Sequence, residues 1–196
     1  IALGVAILII VMSVMNGFKT DLTKKILGLN PHIVIESNGF KIENEFIENL
    51  KKKFQHINIF KTYYGEGIVV GNDNAKGIII KGVDSNNKES LSFLEKNISK
   101  GDLNKFKNNT AFIGAELAFN LDLKIGDKIN LMSSAFVATP FGSLPKQETL
   151  TVTGVFNTGF YEFDKNFVFL NLSDALSIFD KEEHDQNLEI YLTNPM

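Results

Sequence analysis

Three histidines are the side chains best suited to acid–base or metal chemistry near neutral pH. His32, His56 and His184 lie far apart in the sequence, and none stands in the His-Glu-x-x-His frame of a helical zinc site. Cysteine is absent, which removes thiolate nucleophiles, zinc–thiolate sites and disulfides from consideration. We therefore interpret the histidines as ordinary surface or core residues and expect no metal site.

Two loops resemble ligand-binding motifs only superficially. The run GEGIVVG at residues 65–71 lacks the Gly-x-Gly-x-x-Gly spacing and lies between strands instead of opening a helix. The run DSNNKES at residues 84–90 places Lys88 where a calcium loop needs its third oxygen ligand, and it lacks the glycine and the distal glutamate. The sequence also has no Walker A motif. We expect a non-catalytic chain, with any ATP hydrolysed by a separate partner.

A third stretch has the chemistry of a binding surface. Residues 133–147 read SSAFVATPFGSLPKQ, with two prolines that fix φ, a glycine that permits a tight turn, and the apolar Phe141 and Leu144 near the tip. A proline-stiffened loop has little entropy left to lose on binding. Burying both apolar side chains contributes roughly 3 to 6 kcal/mol gross, which suits a transient complex. The alternative is a loop folded back on its own domain.

The charge balance argues against one class of partner. The 20 basic side chains are all Lys and face 23 acidic ones, for a net charge of -3. Nucleic-acid readers favour a basic face with Arg forks, and this chain offers neither. We predict that it does not bind nucleic acid.

The first 18 residues determine where the rest of the chain lies. They are apolar or small on every side, carry no charge before Lys19, and extend about 27 Å as a helix, close to the ~30 Å hydrocarbon core of a bilayer. The pattern indicates the outgoing end of a membrane helix, with a signal-peptide core or a buried core helix as alternatives. We expect this helix to continue to residue 29 as an amphipathic segment. The lysines just after the apolar run favour a cytoplasmic end, a tendency that weakens for large translocated domains.

The remaining pattern predicts an α+β fold in which helices cover a mostly antiparallel sheet. Strands are expected at 32–37, in the β-rich runs on either side of the turn at 72–77, at 110–114, on both sides of 133–147, and at 188–195. Helices are expected at 43–54, at 115–123 with Leu117, Phe119 and Leu121 facing inward, and from Ser173 as N-cap. Residues 84–109 read as loops with a helical turn or two. The last strand is expected to lack some neighbours.

Here the sequence resembles a known family. The run LGVAILIIVMSVMNGFKTDLTKKILGLNPHIVI at residues 3–35 is similar to the end of the first membrane helix and the membrane-exit segment of the LolC/LolE lipoprotein-releasing ABC transporter permeases. Residues 133–147 resemble the hook of LolC-type permeases, and GVFNTGFYEFDKNFVFLNLSDAL at 154–176 resembles a further segment of that family. The aromatic residues of this last segment are expected to pack two lobes together.

The resemblance implies a periplasmic core domain of the MacB/FtsX type. Such a domain has an α/β porter-like lobe and an inserted β-rich lobe bearing a hairpin hook, and it follows the end of a transmembrane helix. Mapped onto this chain, residues 1–29 form the helix and its membrane-exit extension. Residues 30–84 and 158–196 form the first lobe, and residues 85–157 form the inserted lobe with the hook loop at 133–147.

The resemblance also implies a function. The chain would be part of a multi-pass permease subunit in the bacterial inner (cytoplasmic) membrane, with this domain in the periplasm, that releases lipoproteins and hands them to a carrier. The implied partners are a LolD-like ABC ATPase that binds the ATP, a second permease subunit or a homodimer mate, a LolA-like periplasmic carrier, an acylated lipoprotein and the membrane. No cofactor is expected in this chain itself. The implied carrier-binding hook comprises Ala138, Thr139, Pro140, Phe141, Gly142, Ser143, Leu144 and Pro145.

The sequence leaves open the role of four residues in the first helix, the type of permease subunit and two alternative functions. Val11, Met12, Met15 and Phe18 could face acyl chains, although residues that pack against other helices have the same composition. The chain could be a LolC half, a LolE half or a hybrid form. A related MacB-type permease that exports peptides or drugs, and a membrane-tethered sensor or binding domain, are the alternative functions.

Overall fold

The computed structural model describes residues 2–37, 39–71, 74–140 and 142–193, without the Lys24 side chain. Within them the chain forms six α-helices and nine strands. The helices are α1 Ala2–Leu29, α2 Asn44–Lys53, α3 Ser92–Asn97, α4 Ala115–Asn120, α5 Tyr161–Asn166 and α6 Leu172–Ile178. The strands are β1 Ile33–Ile35, β2 Ile57–Val70, β3 Ala75–Val83, β4 Ile98–Gly101, β5 Thr110–Gly114, β6 Lys128–Thr139, β7 Gly142–Phe156, β8 Phe167–Asn171 and β9 Asn187–Leu192.

All of these strands join one sheet. Its order is β1-β9-β2-β3-β8-β5-β7-β4, and β6 pairs with both β2 and β7. The pairs β3/β8 and β5/β7 are parallel and the others are antiparallel. The predicted α+β class with a mostly antiparallel sheet is confirmed. The pairing of β8 with β3 and with β5 carries the sheet across the predicted boundary between the two lobes, and their division stays a prediction.

The first helix is continuous over 28 residues, about 42 Å at 1.5 Å per residue. Its most apolar 18-residue window has a mean hydropathy of 1.9, and none of that window is buried within the chain. This exposure does not fit the alternative of a buried core helix. The helix ends where Asn30 donates from both its backbone nitrogen and its Nδ2 to the Ile26 carbonyl oxygen, each at 3.1 Å. Pro31 follows, and a proline cannot extend the helical hydrogen bonding.

Side-chain alternation divides the sheet into two differently packed faces. One face carries aliphatic residues that pack against α2 and α6, with Ile80, Leu131 and Leu170 fully buried. The other face carries a phenylalanine cluster built around Phe156, whose side chain is also fully buried. This phenylalanine cluster consists of Phe93, Phe106, Phe112, Phe156, Phe163, Phe167 and Phe169. Leu29, the last residue of α1, packs against it, so the end of the first helix is fixed to the sheet.

Five detailed predictions are wrong. Residues 65–70, expected to lie between strands, are part of β2, and residues 98–101, expected to belong to a loop region, form β4. Phe119 is 83% exposed, whereas Leu117 and Leu121 are buried. Residues 117 and 121 are four apart and share one helical face, but residue 119 points away from it. The N-cap of α6 is Asn171 and not Ser173, because the helix begins one residue before Ser173. The last strand, β9, does not lack neighbours: it pairs on one side with β1 and on the other with β2.

Candidate functional site

The strands β6 and β7 form a hairpin that leaves the sheet. The part of the hairpin that lies within the sheet belongs to the core, and the pairing of β6 with β2 ends at Ser133. The β6–β7 register shifts between the pairs Met132↔Gln147 and Phe136↔Pro145, which indicates a bulge in β6 at residues 133–135. A bulge bends its strand and increases the local twist. Beyond it, the described part of β6 pairs with β7 alone. We call residues 136–145 the ribbon.

The base of the ribbon is attached to α6 and the residues just after it. The Ser133 hydroxyl, in a residue only 6% exposed, donates to the Ile178 carbonyl oxygen at 2.5 Å and accepts from the Ala135 N–H at 3.1 Å. On β7, Lys146 Nζ lies 3.2 Å from Asp180 Oδ1. These contacts hold the bulge against the body of the domain. The direction of the ribbon is therefore set by the fold, although its tip is free of the sheet.

The turn at the tip requires a special backbone conformation. Thr139 pairs with Gly142, and the Thr139 hydroxyl donates to the Gly142 carbonyl oxygen at 2.7 Å. Gly142 has a φ of +120°, which residues with a Cβ rarely adopt. Pro140 restricts φ on the other side of the turn. The glycine and the proline that the sequence placed at this tip thus close a tight hairpin.

The predicted hook residues lie at the exposed end of the ribbon. Leu144 is 57% exposed, and Thr139 is half-buried. Phe141, which the sequence also placed at the tip, lies outside the described residues. The other predicted hook residues are all exposed, namely Ala138, Pro140, Gly142, Ser143 and Pro145. Their exposure favours a projecting loop over one folded back on the domain.

Two apolar residues below the tip were not among the predicted hook residues. Phe136 is 65% exposed and Val137 is 45% exposed. Phe136 lies opposite Pro145, and Val137 lies opposite Leu144. Because neighbouring residues of a strand point to opposite faces, each face of the ribbon carries one of these apolar pairs. The signal was present in the sequence: adjacent apolar residues in a two-stranded ribbon cannot both face the domain.

The residues proposed to meet acyl chains lie on α1. Val11, Met12, Met15 and Phe18 are between 53% and 64% exposed. At 100° per residue, they cover about a third of the helix circumference. Their exposure fits contact with lipid, with acyl chains or with another membrane helix. Their role stays a prediction.

A buried charge cluster lies elsewhere, on the sheet face that carries the phenylalanine cluster. Glu189 on β9 pairs with Phe60 of β2, and Lys81 on β3 pairs with Tyr64 of β2, so the two charged side chains reach each other across one strand. Lys81 Nζ lies 2.9 Å from each carboxylate oxygen of Glu189. The hydroxyls of Tyr64 and Tyr191 both donate to the same carboxylate. We call these four residues the charge cluster.

Burial shifts the pKa of both members of this ion pair. Apart from the attraction between the two charges, burial lowers the pKa of Lys81 to about 7 and raises the pKa of Glu189 to about 7, because each charged form loses its hydration. The opposite charge 2.9 Å away acts against both shifts and favours the ion pair. Groups this close titrate as a pair and share one proton over the neutral range. Perturbed groups in a cavity are candidates for catalysis. Here Lys81 and Glu189 engage each other, and Glu189 also accepts hydrogen bonds from two tyrosine hydroxyls, which fits a structural or binding role better.

The histidines make local contacts. His32 Nδ1 accepts from the Leu192 N–H at 2.8 Å, and His184 lies beside Glu182 and Asp185 on the surface. Within the described ranges, no group of three or more His, Asp or Glu side chains is arranged to hold a metal ion.

Comparison with known proteins gives a family and a fold. The family described as "MacB-like periplasmic core domain" matches residues 1–195. The chain is 24% identical to the lipoprotein-releasing system transmembrane protein LolC of Xylella fastidiosa, a match covering 91% of this chain and 44% of that protein. It is 30% identical to the lipoprotein-releasing system transmembrane protein LolE of Haemophilus influenzae, a match covering 89% of this chain and 44% of that protein. The chain thus spans less than half the length of these relatives.

A solved structure shares the fold. The periplasmic region of MacB from Actinobacillus actinomycetemcomitans matches with a TM-score of 0.54 and 11% identity, covering 86% of this chain and 77% of that one. An identity this low supports the architecture and nothing more specific.

Replacing Glu189 tests the shared proton of the charge cluster. In Glu189→Gln, Lys81 has no carboxylate partner. Its amine is then neutral in the folded state above pH ~7, whereas in the unfolded chain it keeps its proton up to pH ~10.5. The unfolded state then binds more protons, and the free energy of unfolding rises by roughly 2 kcal/mol between pH 7 and pH 9. The wild-type pair keeps one proton in both states, and we expect a nearly flat profile. Urea unfolding at the two pH values measures this, with the exposed Glu95→Gln as control. Parallel profiles for Glu189→Gln and wild type would contradict the shared proton.

Proposed function

The chain belongs to the family of MacB-like periplasmic core domains, and on that premise we propose that it is the periplasmic part, with the adjoining membrane helix, of a permease subunit that releases lipoproteins from the bacterial inner membrane. The proposal takes its substrate class from relatives such as LolC and LolE, which are named for lipoprotein release. The observation that carries it is the ribbon: an exposed apolar hairpin with a fixed base. A missing or buried hook would have favoured a MacB-type export permease.

The ribbon is suited to a soluble carrier of the LolA type. Phe136, Val137 and Leu144 together contribute roughly 5 to 9 kcal/mol gross when buried. Association costs at least 4 kcal/mol in lost translational and rotational freedom, on an order-of-magnitude scale. The net affinity is therefore weak, as a hand-over requires. Because the turn and the base are already ordered, little of the gain is lost in fixing the ribbon.

The membrane helix supplies the second part of the mechanism. Leu29 packs against the phenylalanine cluster, so a movement of α1 is transmitted to the sheet and through it to the ribbon. ATP would be bound and hydrolysed by a separate LolD-like subunit. A second permease subunit or a second copy of this one would complete the membrane part. Val11, Met12, Met15 and Phe18 would line the place where the acyl chains of the lipoprotein enter.

The first test changes the ribbon. Leu144→Asp and Phe136→Asp each place a charge where a partner would bury an apolar group, and we expect each to lower carrier-dependent lipoprotein release about tenfold or more, since each anchor is worth roughly 1.5 to 3 kcal/mol. Release from membranes that contain the full-length permease measures the effect. Phe119→Asp, at an apolar residue that is 83% exposed on α4, is the matched control and should release normally. Normal release by the ribbon variants, or an equal loss for Phe119→Asp, would refute the role of the ribbon.

The second test changes the membrane helix. Met15→Lys places a charge among the four residues proposed to meet acyl chains, whereas Ser13→Lys places it at a similar depth on the opposite side of the helix. Both variants carry a similar cost of insertion. We expect release to fall at least fivefold further for Met15→Lys than for Ser13→Lys, when both are compared at equal membrane abundance. Equal effects would show that this side of α1 has no special contact with the lipoprotein.

A further inference from the structure

A cavity of about 250 Å³ lies where the end of α1 meets the sheet. Gly28, in the last turn of α1, forms part of its wall, and Lys81 and Glu189 of the charge cluster lie at its buried floor. The side chains of Phe60, Phe93 and Phe169 supply apolar walls. This cavity is distinct from the ribbon, and the proposed hand-over does not use it.

One polar group at the floor, the Thr62 hydroxyl, lacks a well-formed hydrogen bond. Thr62 is only 1% exposed, and its hydroxyl lies close enough to the Glu189 carboxylate to help lower the pKa of that carboxyl, but not in good hydrogen-bond geometry. The Glu189 oxygens take two donors of the Lys81 ammonium, which also lies 4.8 Å from the centroid of the Tyr64 ring. A buried polar group without a partner costs roughly 1 to 3 kcal/mol. An acceptor oxygen placed in the cavity would relieve this cost.

The charges of the cavity select against an ionic ligand. The buried pair of Lys81 and Glu189 is balanced, and at the exposed rim Glu89 and Lys96 balance again. An anion would have to lie beside Glu189, and a cation beside Lys81. Nearby uncharged groups complete the lining: Asn97 uses its Nδ2 to donate to the Phe93 carbonyl oxygen at 2.8 Å, which leaves its side-chain oxygen as an acceptor. The lining suits a neutral ligand that has both N–H and C=O groups and an apolar side chain.

The height of the cavity above the membrane indicates which neutral ligand could reach it. Gly28 lies nine residues beyond Lys19, the first charge after the apolar run, which is about 14 Å further along the helix. The headgroup layer adds only about 5 to 7 Å to each side of the hydrocarbon core. The cavity therefore stands above the lipid headgroups. A polypeptide that rises from a lipid anchor passes this height after roughly three to six extended residues.

We propose that this cavity binds the extended peptide segment that follows the lipidated residue of the transported lipoprotein, through a peptide carbonyl on Lys81 and Thr62 and an apolar side chain on the phenylalanine walls. This rests on the proposed function. The site recognises backbone and a neutral apolar side chain, so it accepts many sequences and excludes a charged residue at the bound position.

Photocrosslinking in membranes with the full-length permease and a lipoprotein substrate tests the proposal. A photocrosslinking amino acid is placed at Lys96, on the rim of the cavity, or at Glu95, the neighbouring exposed residue of α3, which lines a different depression. We expect Lys96 to form an adduct that mass spectrometry maps to the first few residues after the lipidated residue, and Glu95 to form none. In the same membranes, Thr62→Val removes this hydroxyl and should lower the Lys96 adduct yield roughly threefold to tenfold, with a resistance to urea no lower than that of the wild type.

The remaining outcomes are decisive as well. Adducts with a saccharide, with phospholipid or with only the folded part of the lipoprotein would overturn the proposal, as would equal adducts at Lys96 and Glu95 or an unchanged yield in Thr62→Val. Release is measured without irradiation in the same preparation. Normal release with no adduct at Lys96 rejects the cavity and leaves the proposed function standing. Release that does not depend on this chain rejects the proposed function, and the cavity proposal with it.

Discussion

Antiparallel pairing of β6 with β7 supplies both a central part of the sheet and the ribbon that projects from it. Near the sheet, the pair Ile129↔Leu150 lies in the core, with both side chains about 1% exposed. Further along the same ladder, Val137↔Leu144 stands in solvent. The ribbon is thus a continuation of buried strands and not a separate loop. Its direction depends on the bulge at residues 133–135 and on the hydrogen bond from Ser133 to α6.

Patterns local in the sequence were readable, and contacts between distant residues were not. The 28-residue helix, the hairpin with Gly142 in its turn, and the alternation of Leu150 and Val152 follow from periodicity and turn chemistry. Phe119 was misassigned because its apolar character outweighed its helical phase, which places it opposite Leu117.

Other features of the site depend on pairings between residues far apart in the chain. The bulge in β6 can be recognised only when the register with β7 is known, because the sequence Ser-Ser-Ala at residues 133–135 is equally compatible with a regular strand. Lys81 and Glu189 are far apart in sequence. They meet because their strands, β3 and β9, pair with the two opposite edges of β2. The alternation of side chains along a strand shows which of its residues share a face. It does not show that Lys81 on β3 and Glu189 on β9 lie on the same face of the sheet.

The charge cluster has a cost that packing alone does not explain. Taking two charges out of water costs several kcal/mol per ion, as an order of magnitude, and a well-packed apolar pair of similar size is often as stable. Here the pair stands at the floor of a cavity, beside the end of the membrane helix. A fixed, balanced pair in that position presents hydrogen-bonding groups without a net charge. The cluster and the phenylalanine walls thus give one sheet face two roles: it holds the end of α1, and it lines a site for a neutral ligand.

Site-specific photocrosslinking from Leu144 in native membranes would show whether the ribbon meets a soluble periplasmic partner. We expect the identified adduct to be a soluble periplasmic lipoprotein carrier, and the same crosslinker at Phe119 not to capture it. Adducts with cytoplasmic proteins alone would show that the topology is reversed. Adducts within this chain alone would show a ribbon that packs on its own domain, and either result would rule out the ribbon as a binding site for a periplasmic carrier.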